Sequence, residues 1–235
     1  MLPREGPGNQ PSTARALAMA QPLPHRPRVL DIACGPGTQT IDLARLLPDA
    51  VITAVDLHPP FVEDARRRAA EAGLADRITV LEGDMAALPF APGSFDLLWC
   101  EGAAYIMGVE AALRAWKPLL SPGGRLAFTE AVWLTDDPPA PVRACWEEYP
   151  GMIDIAGCRA LAERCGWRLV GDFILPEAAW WDDYYTPMAA RIEEVAARHA
   201  GDPMVEELLA EHRQEIAVFR DHADCYGYMF MMLGL

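Results

Sequence analysis

The chain of 235 residues carries 34 acidic against 20 basic side chains, a net charge of −14, and 51% of its residues are hydrophobic. That balance argues against nucleic acid or an anionic membrane as partner, since both call for basic patches that meet phosphate. No apolar run reaches the roughly 18 residues that span a bilayer, and no basic segment leads into a long apolar stretch at the N-terminus, so a cytoplasmic protein of one domain with insertions is expected.

Residues 1–27 are rich in proline and hold one short helical stretch around Ser12 to Ala20, which predicts either a frayed tail or a cap over a neighbouring site. Arg28 to Ile32 then reads as a buried strand, Gly35 and Gly37 allow a tight turn, and Ile41, Leu43, Ala44, Leu46 and Leu47 give a helical apolar face. A dinucleotide fingerprint wants a third glycine where this chain has Thr40. Asp31 lies ahead of the first glycine, where a carboxylate repels pyrophosphate and attracts an ammonium group. A second strand, Val51 to Asp56, ends in a carboxylate, and the helix after it carries Arg66, Arg67 and Arg68 among acids, read as a solvated face with a Glu63–Arg67 pair. Ile78 to Glu82 makes a third strand that runs into Gly83-Asp84-Met85, and Phe95 to Glu101 a fourth.

Further along, Leu119 to Phe128 holds a Pro-Gly-Gly turn and a fifth strand, and Trp133 to Pro150 is an irregular connection. A helix over Ile155 to Cys165, stopped by Gly166, leads to a sixth strand, Trp167 to Leu175, and the seventh is Tyr226 to Leu233. Between these two strands, residues 176–224 hold the run Trp180-Trp181-Asp182-Asp183-Tyr184-Tyr185 and two amphipathic helices. The second of these starts with Asp202 as N-cap and Pro203 at its first position. The six cysteines form no C-x-x-C pair, and Cys158 and Cys165 sit two helical turns apart, so structural thiols are expected and no metal site.

The segment Asp31 to Thr38 resembles the first motif of class I S-adenosylmethionine-dependent methyltransferases, and the landmarks from about residue 28 to residue 133 follow in that family's order. The resemblance implies an α/β, Rossmann-like sheet of seven strands in the order 3-2-1-4-5-7-6, with helices on both faces, the last strand antiparallel, and S-adenosylmethionine as cofactor. It implies a cofactor site of Asp31, Ala33, Gly35, Gly37, Asp56, Leu57, Asp84, Met85 and Cys100. Asp56 would accept from both ribose hydroxyls, Asp84 would face the adenine amine, and Leu57 and Met85 would pack on the ring. Taken singly, Asp56 can be a helix N-cap and Asp84 a turn former. Both, however, follow predicted strands at the carboxyl ends, where open α/β sheets bind ligands. Within the family the chain looks like the small-molecule branch that includes ubiquinone and menaquinone enzymes, which leaves the acceptor open.

Glu101 and Tyr105, in the loop after the fourth strand, and Glu130, at the end of the fifth, are the candidate catalytic groups for orienting a substrate or accepting a proton. Trp133, Tyr149, Trp180, Trp181, Tyr184 and Tyr185 are candidate substrate-binding residues. Carboxylates beside aromatic rings suit a small amine, thioether or other acceptor that becomes cationic on methylation. The same aromatics can equally be core and interface anchors. The helical hairpin within 176–224 is read as a lid on the pocket mouth, with sheet cover or a homodimer contact as its plain alternative. Two rival functions stay open: a noncatalytic cofactor-binding subunit, and other chemistry on the same cofactor. A carboxyl-bearing derivative of it would want a basic residue near the methyl position, and the matching loops have none.

Overall fold

The computed structural model describes residues 2–235. Its sheet contains β1 (Arg28–Ile32), β2 (Val51–Asp56), β3 (Ile78–Glu82), β4 (Phe95–Cys100), β5 (Leu120–Trp133), the two-residue β6 (Ile153–Asp154), β7 (Arg168–Ile174) and β8 (Tyr226–Gly234). The order is β3-β2-β1-β4-β5-β8-β7, with β6 pairing β5 off this path. With β6 set aside, this is the order 3-2-1-4-5-7-6. Strands β1 to β5 pair parallel, and β8 runs antiparallel between β5 and β7.

The strands form where they do because parallel strands covered on both faces need continuous apolar runs. Leu30, Ile32, Ile52 and Leu97 are fully buried, and each such burial stabilises the fold by roughly 2 kcal/mol. Helices α1 (Gln10–Met19), α2 (Thr38–Leu46) and α3 (Pro59–Glu71) pack on one side of the sheet, and α4 (Val109–Trp116) and α6 (Ile155–Arg164) on the other. A third cluster gathers the aromatics between α5 (Ala140–Cys145), α7 (Ala178–Trp180), α8 (Thr186–Arg198) and α9 (Pro203–His222). No helix among the described residues is long and apolar enough to cross a membrane.

Several local expectations are corrected. The first helix begins earlier, at Gln10, because the Asn9 side chain caps it by accepting from the Ser12 amide. The Pro-Gly-Gly turn lies inside β5: Phe95 faces Leu120 while Leu97 faces Arg125, so the intervening residues loop out as a bulge with Gly123 at φ +81°. The connection after β5 contains α5. Arg67 pairs with Asp64 and Glu71, not Glu63. Trp181–Tyr185 forms a π turn that joins α7 to α8 in one continuous helical path. Asp202 does cap α9, accepting from the Met204 and Val205 amides. All six cysteines are free thiols.

Candidate active site

The order of the strands reverses between β1 and β4, and a cavity of about 460 Å³ opens at their carboxyl ends. The β1–α2 turn forms one wall. Ala33 and Gly35 lie at φ +55° and +54°, and Gly37 at +86°. A Cβ on Gly37 would stand 2.8 Å from Ala65 Cβ, so the glycine is what lets α2 approach α3. Ala33 holds the left-handed region without a glycine's freedom, a strain of the kind concentrated at ligand sites.

Asp56 braces this turn from the end of β2. Its Oδ2 accepts from the Gly35 amide at 2.8 Å and its Oδ1 from the His58 amide at 2.9 Å. Leu57, Asp84 and Met85 join Ala33, Gly35 and Asp56 on the cavity wall, and Leu57 is 57% exposed, an apolar surface facing open space. Asp31 is fully buried; Thr40 donates to Oδ2, and Oδ1 has no partner. Burial pushes its pKa up to about 7. An orphaned buried carboxylate oxygen below a glycine turn, and Asp56 on the wall, fit a ligand with an ammonium group and vicinal hydroxyls. Asp31, Gly37, Cys100 and Glu130 are all buried and line neither this cavity nor the next.

A second cavity, of about 700 Å³, shares Glu5, Gly6, Pro7, Gly102 and Tyr105 with the first. Trp180, Tyr184 and Tyr185 are on its wall, with Trp146, Tyr226 and Tyr228, whereas Trp133, Tyr149 and Trp181 are not. Trp133 packs in the aromatic cluster, and Trp181 lies edge-on to Tyr185. Five glutamates line this cavity, and no lysine or arginine among the described residues does.

The two candidate catalytic carboxylates differ sharply. Glu101 is saturated: Oε2 pairs with Arg4 at 2.8 Å, and Oε1 accepts from Trp99 Nε1 at 2.8 Å and Thr13 at 3.3 Å. Glu130 is buried, with Oε1 accepting from the Tyr149 hydroxyl at 2.9 Å and Oε2 without a partner. Burial, against the pull of that hydrogen bond, pushes its pKa up to about 7. The Tyr149 ring lies 5.3 Å from that of Tyr105, which faces both cavities.

A pH dependence follows. Asp31 and Glu130 hold their protons more tightly folded than at their ordinary values of 3.8 and 4.5. The folded state therefore carries more protons than the unfolded chain between about pH 4 and pH 7, and stability falls as pH rises through that window. Glu130→Gln, neutral throughout, should remove part of the fall and raise stability at pH 8 by roughly 2 kcal/mol. Thermal unfolding of both proteins at pH 5 and pH 8 checks this, and an equal pH slope in the variant would contradict it.

Sequence reasoning missed Arg4. Its side chain is 4% exposed and contacts Asp42 at 2.9 Å, Glu101 at 2.8 Å and Asp183 at 3.6 Å. With Pro3 O accepting from Thr38, Leu2 O accepting from Arg68, and the Gly8 amide donating to Ala179 O, residues 2–9 are tied across the cavity mouths. Arg4 is the basic group that the loops lack, and these acids already engage it. Among the described residues no three His, Cys, Asp or Glu side chains are grouped to hold a metal.

Residues 29–124 match the family model described as a methyltransferase domain. The chain is 31% identical over 161 residues to the uncharacterized methyltransferase YodH of Bacillus subtilis, covering 68% of this chain and 64% of that one. It is 38% identical over 104 residues to the demethylmenaquinone methyltransferase of Thermus thermophilus, covering 44% and 46%. The chain thus spans about half the length of the curated relatives it matches. Among solved structures, an S-adenosylmethionine-dependent methyltransferase from Geobacter sulfurreducens in complex with S-adenosylhomocysteine superposes with a TM-score of 0.84 at 23% identity, over 98% of this chain and 92% of that one. Sequence and architecture agree: residues 29–124 are similar to a methyltransferase domain, and the chain has the fold of the class I S-adenosylmethionine-dependent methyltransferases.

Proposed function

We propose that the chain is an S-adenosylmethionine-dependent methyltransferase acting on a small molecule whose accepting atom is an amine nitrogen or a sulfur. The observation that carries this reading is the pair of cavities sharing a wall at Gly102 and Tyr105, the second of them aromatic, acidic and without a lysine or arginine among its described lining residues. Aromatic faces and carboxylates both stabilise an acceptor that becomes cationic.

When bound, S-adenosylmethionine supplies a methyl group on a sulfonium, and the protein's task is to align the acceptor and exclude water. Asp56 would hold the ribose hydroxyls, Asp84 the adenine amine and Asp31 the ammonium end, with Leu57 and Met85 against the ring. Residues 5–7 and Tyr105, which line both cavities, would stand between the reacting atoms and solvent. Glu130 is the group suited to take a proton from an acceptor that arrives protonated, because its carboxyl titrates near neutrality. Neither Glu130 nor Tyr149 lines either cavity, so a proton would reach Glu130 only by way of the Tyr149 hydroxyl that donates to it and of Tyr105 beside that ring, which lines both cavities. Glu101, saturated by Arg4, Trp99 and Thr13, instead anchors the N-terminal segment.

The test is incubation with methyl-labelled S-adenosylmethionine and a fractionated pool of small metabolites. Label in a low-mass product that binds a cation exchanger supports the reading. Cofactor binding with no label in any fraction shifts the assignment to a noncatalytic binding subunit. In the same assay Glu130→Gln should lower kcat about 100-fold with a smaller change in KM, the usual scale for a lost proton acceptor; an unchanged kcat removes Glu130 from the chemistry.

A further inference from the structure

We propose that Glu215 is the anchor for an ammonium group of the methyl acceptor, so that the acceptor carries a cation in addition to the atom that is methylated. The Tyr184 and Tyr185 hydroxyls both donate to Glu215 Oε1, at 3.2 and 3.0 Å. Oε2 is left with only His212 Nδ1, 3.8 Å away, beyond hydrogen-bond reach. A carboxylate fixed by two donors on one oxygen, and only about one-third exposed, is already oriented for a charged partner on the other. Burial, then the Glu215 charge, pushes both tyrosine hydroxyls up, which keeps them as donors.

Three features separate this site from a plain acidic patch. It lies in the wall of a cavity lined by rings, with Trp180 stacked on Phe219 at 4.2 Å between centroids to form a rigid aromatic side. Tyr226, 1% exposed, lines the same cavity, and its hydroxyl has no partner, a buried polar group that a ligand would satisfy. Of the other ionisable side chains on the wall, Glu5, Glu147, Glu148 and Glu211 are acidic and His212 alone can carry a positive charge. The site is also displaced from the transfer point: Glu215, Tyr184, Tyr185 and Tyr226 line the second cavity and not the first. A cation held there leaves the other end of the acceptor to reach Tyr105 and Gly102. A compact diamine or an amino-thioether has this chemistry.

The proposal rests on the methyl-transfer reading only for calling the occupant an acceptor, and calorimetry with 1,3-diaminopropane separates the two. The probe is titrated into the full chain with and without S-adenosylhomocysteine, with 1,3-propanediol as the neutral control. The diamine should bind at millimolar concentration and the diol should not. Glu215→Gln keeps an oxygen for both tyrosines while removing the charge, and should weaken the diamine about tenfold, the factor expected for one lost charge-assisted contact. Tyr184→Phe combined with Tyr185→Phe retains the charge and should weaken it less. Equal diamine affinity in wild type and Glu215→Gln, or no binding to wild type, overturns the proposal even where S-adenosylhomocysteine binds. Diamine binding that depends on Glu215 in a chain that fails to bind S-adenosylhomocysteine upholds the cation site and overturns the methyl-transfer reading.

Discussion

Asp56→Ala should lower the affinity for S-adenosylhomocysteine by about 100-fold, read by calorimetric titration. The size follows from what the side chain does at once. Each oxygen already accepts a backbone amide, Gly35 on one side and His58 on the other, so the carboxylate holds the turn in the shape that a ligand would meet. Each oxygen keeps a further lone pair for a ribose hydroxyl. Hydrogen bonds to charged groups contribute about 1.5–3 kcal/mol apiece, and losing two at the lower end already amounts to a factor of about 100. Asp84 sets a useful contrast, since it is exposed and accepts only from the Ala86 amide. Its alanine variant should cost about tenfold, as one more accessible contact would. Affinity unchanged in Asp56→Ala would mean that the ligand of this turn is not held by its ribose.

Arg4→Ala should destabilise the fold strongly. It strips the counter-charge from Asp42 and Glu101, whose side chains are only 10% and 6% exposed, and from the more accessible Asp183. Breaking a buried pair from one side costs about 3–5 kcal/mol, because charges stay behind unpaired. For a chain of this length that is roughly 6–15 °C in Tm. Arg4→Lys should recover little, since one ammonium cannot meet carboxylates spread around a planar guanidinium. Because residues 5–7 wall both cavities, S-adenosylhomocysteine affinity should fall along with Tm. Differential scanning calorimetry decides the first part; a Tm within a degree of wild type would show that the N-terminal segment is held by its backbone contacts alone.

How far the sequence could be read follows from the range of the interactions involved. The strands were legible because Val29, Leu30, Ile32, Ile52 and Leu97 sit in local apolar runs, and Asp56 and Asp84 because they stand at strand ends where the fold binds ligands. The Arg4 network was not, since its partners lie 38 and 97 residues away and nothing around Arg4 marks it. Glu215 is one acid among many along α9, and only the folded chain brings it to two hydroxyls about thirty residues earlier. Trp133 and Glu130 both read as site residues at the end of one strand, yet an odd separation along a strand puts two side chains on opposite faces. Glu130 shares its face with Phe128 and Val132, while Trp133 packs in the aromatic cluster. Trp180 and Trp181 diverge for the helical version of the same reason. Glu101 reads as catalytic from its loop and is taken up by contacts that the loop does not encode.

The most direct single test is a crystal structure of the chain grown with S-adenosylhomocysteine. The account predicts the ribose on Asp56, the adenine between Leu57 and Met85 near Asp84, and the amino group within hydrogen-bonding distance of Asp31 Oδ1. Ligand density elsewhere on the surface, or an Asp31 oxygen still unpartnered beneath a bound ligand, would contradict it.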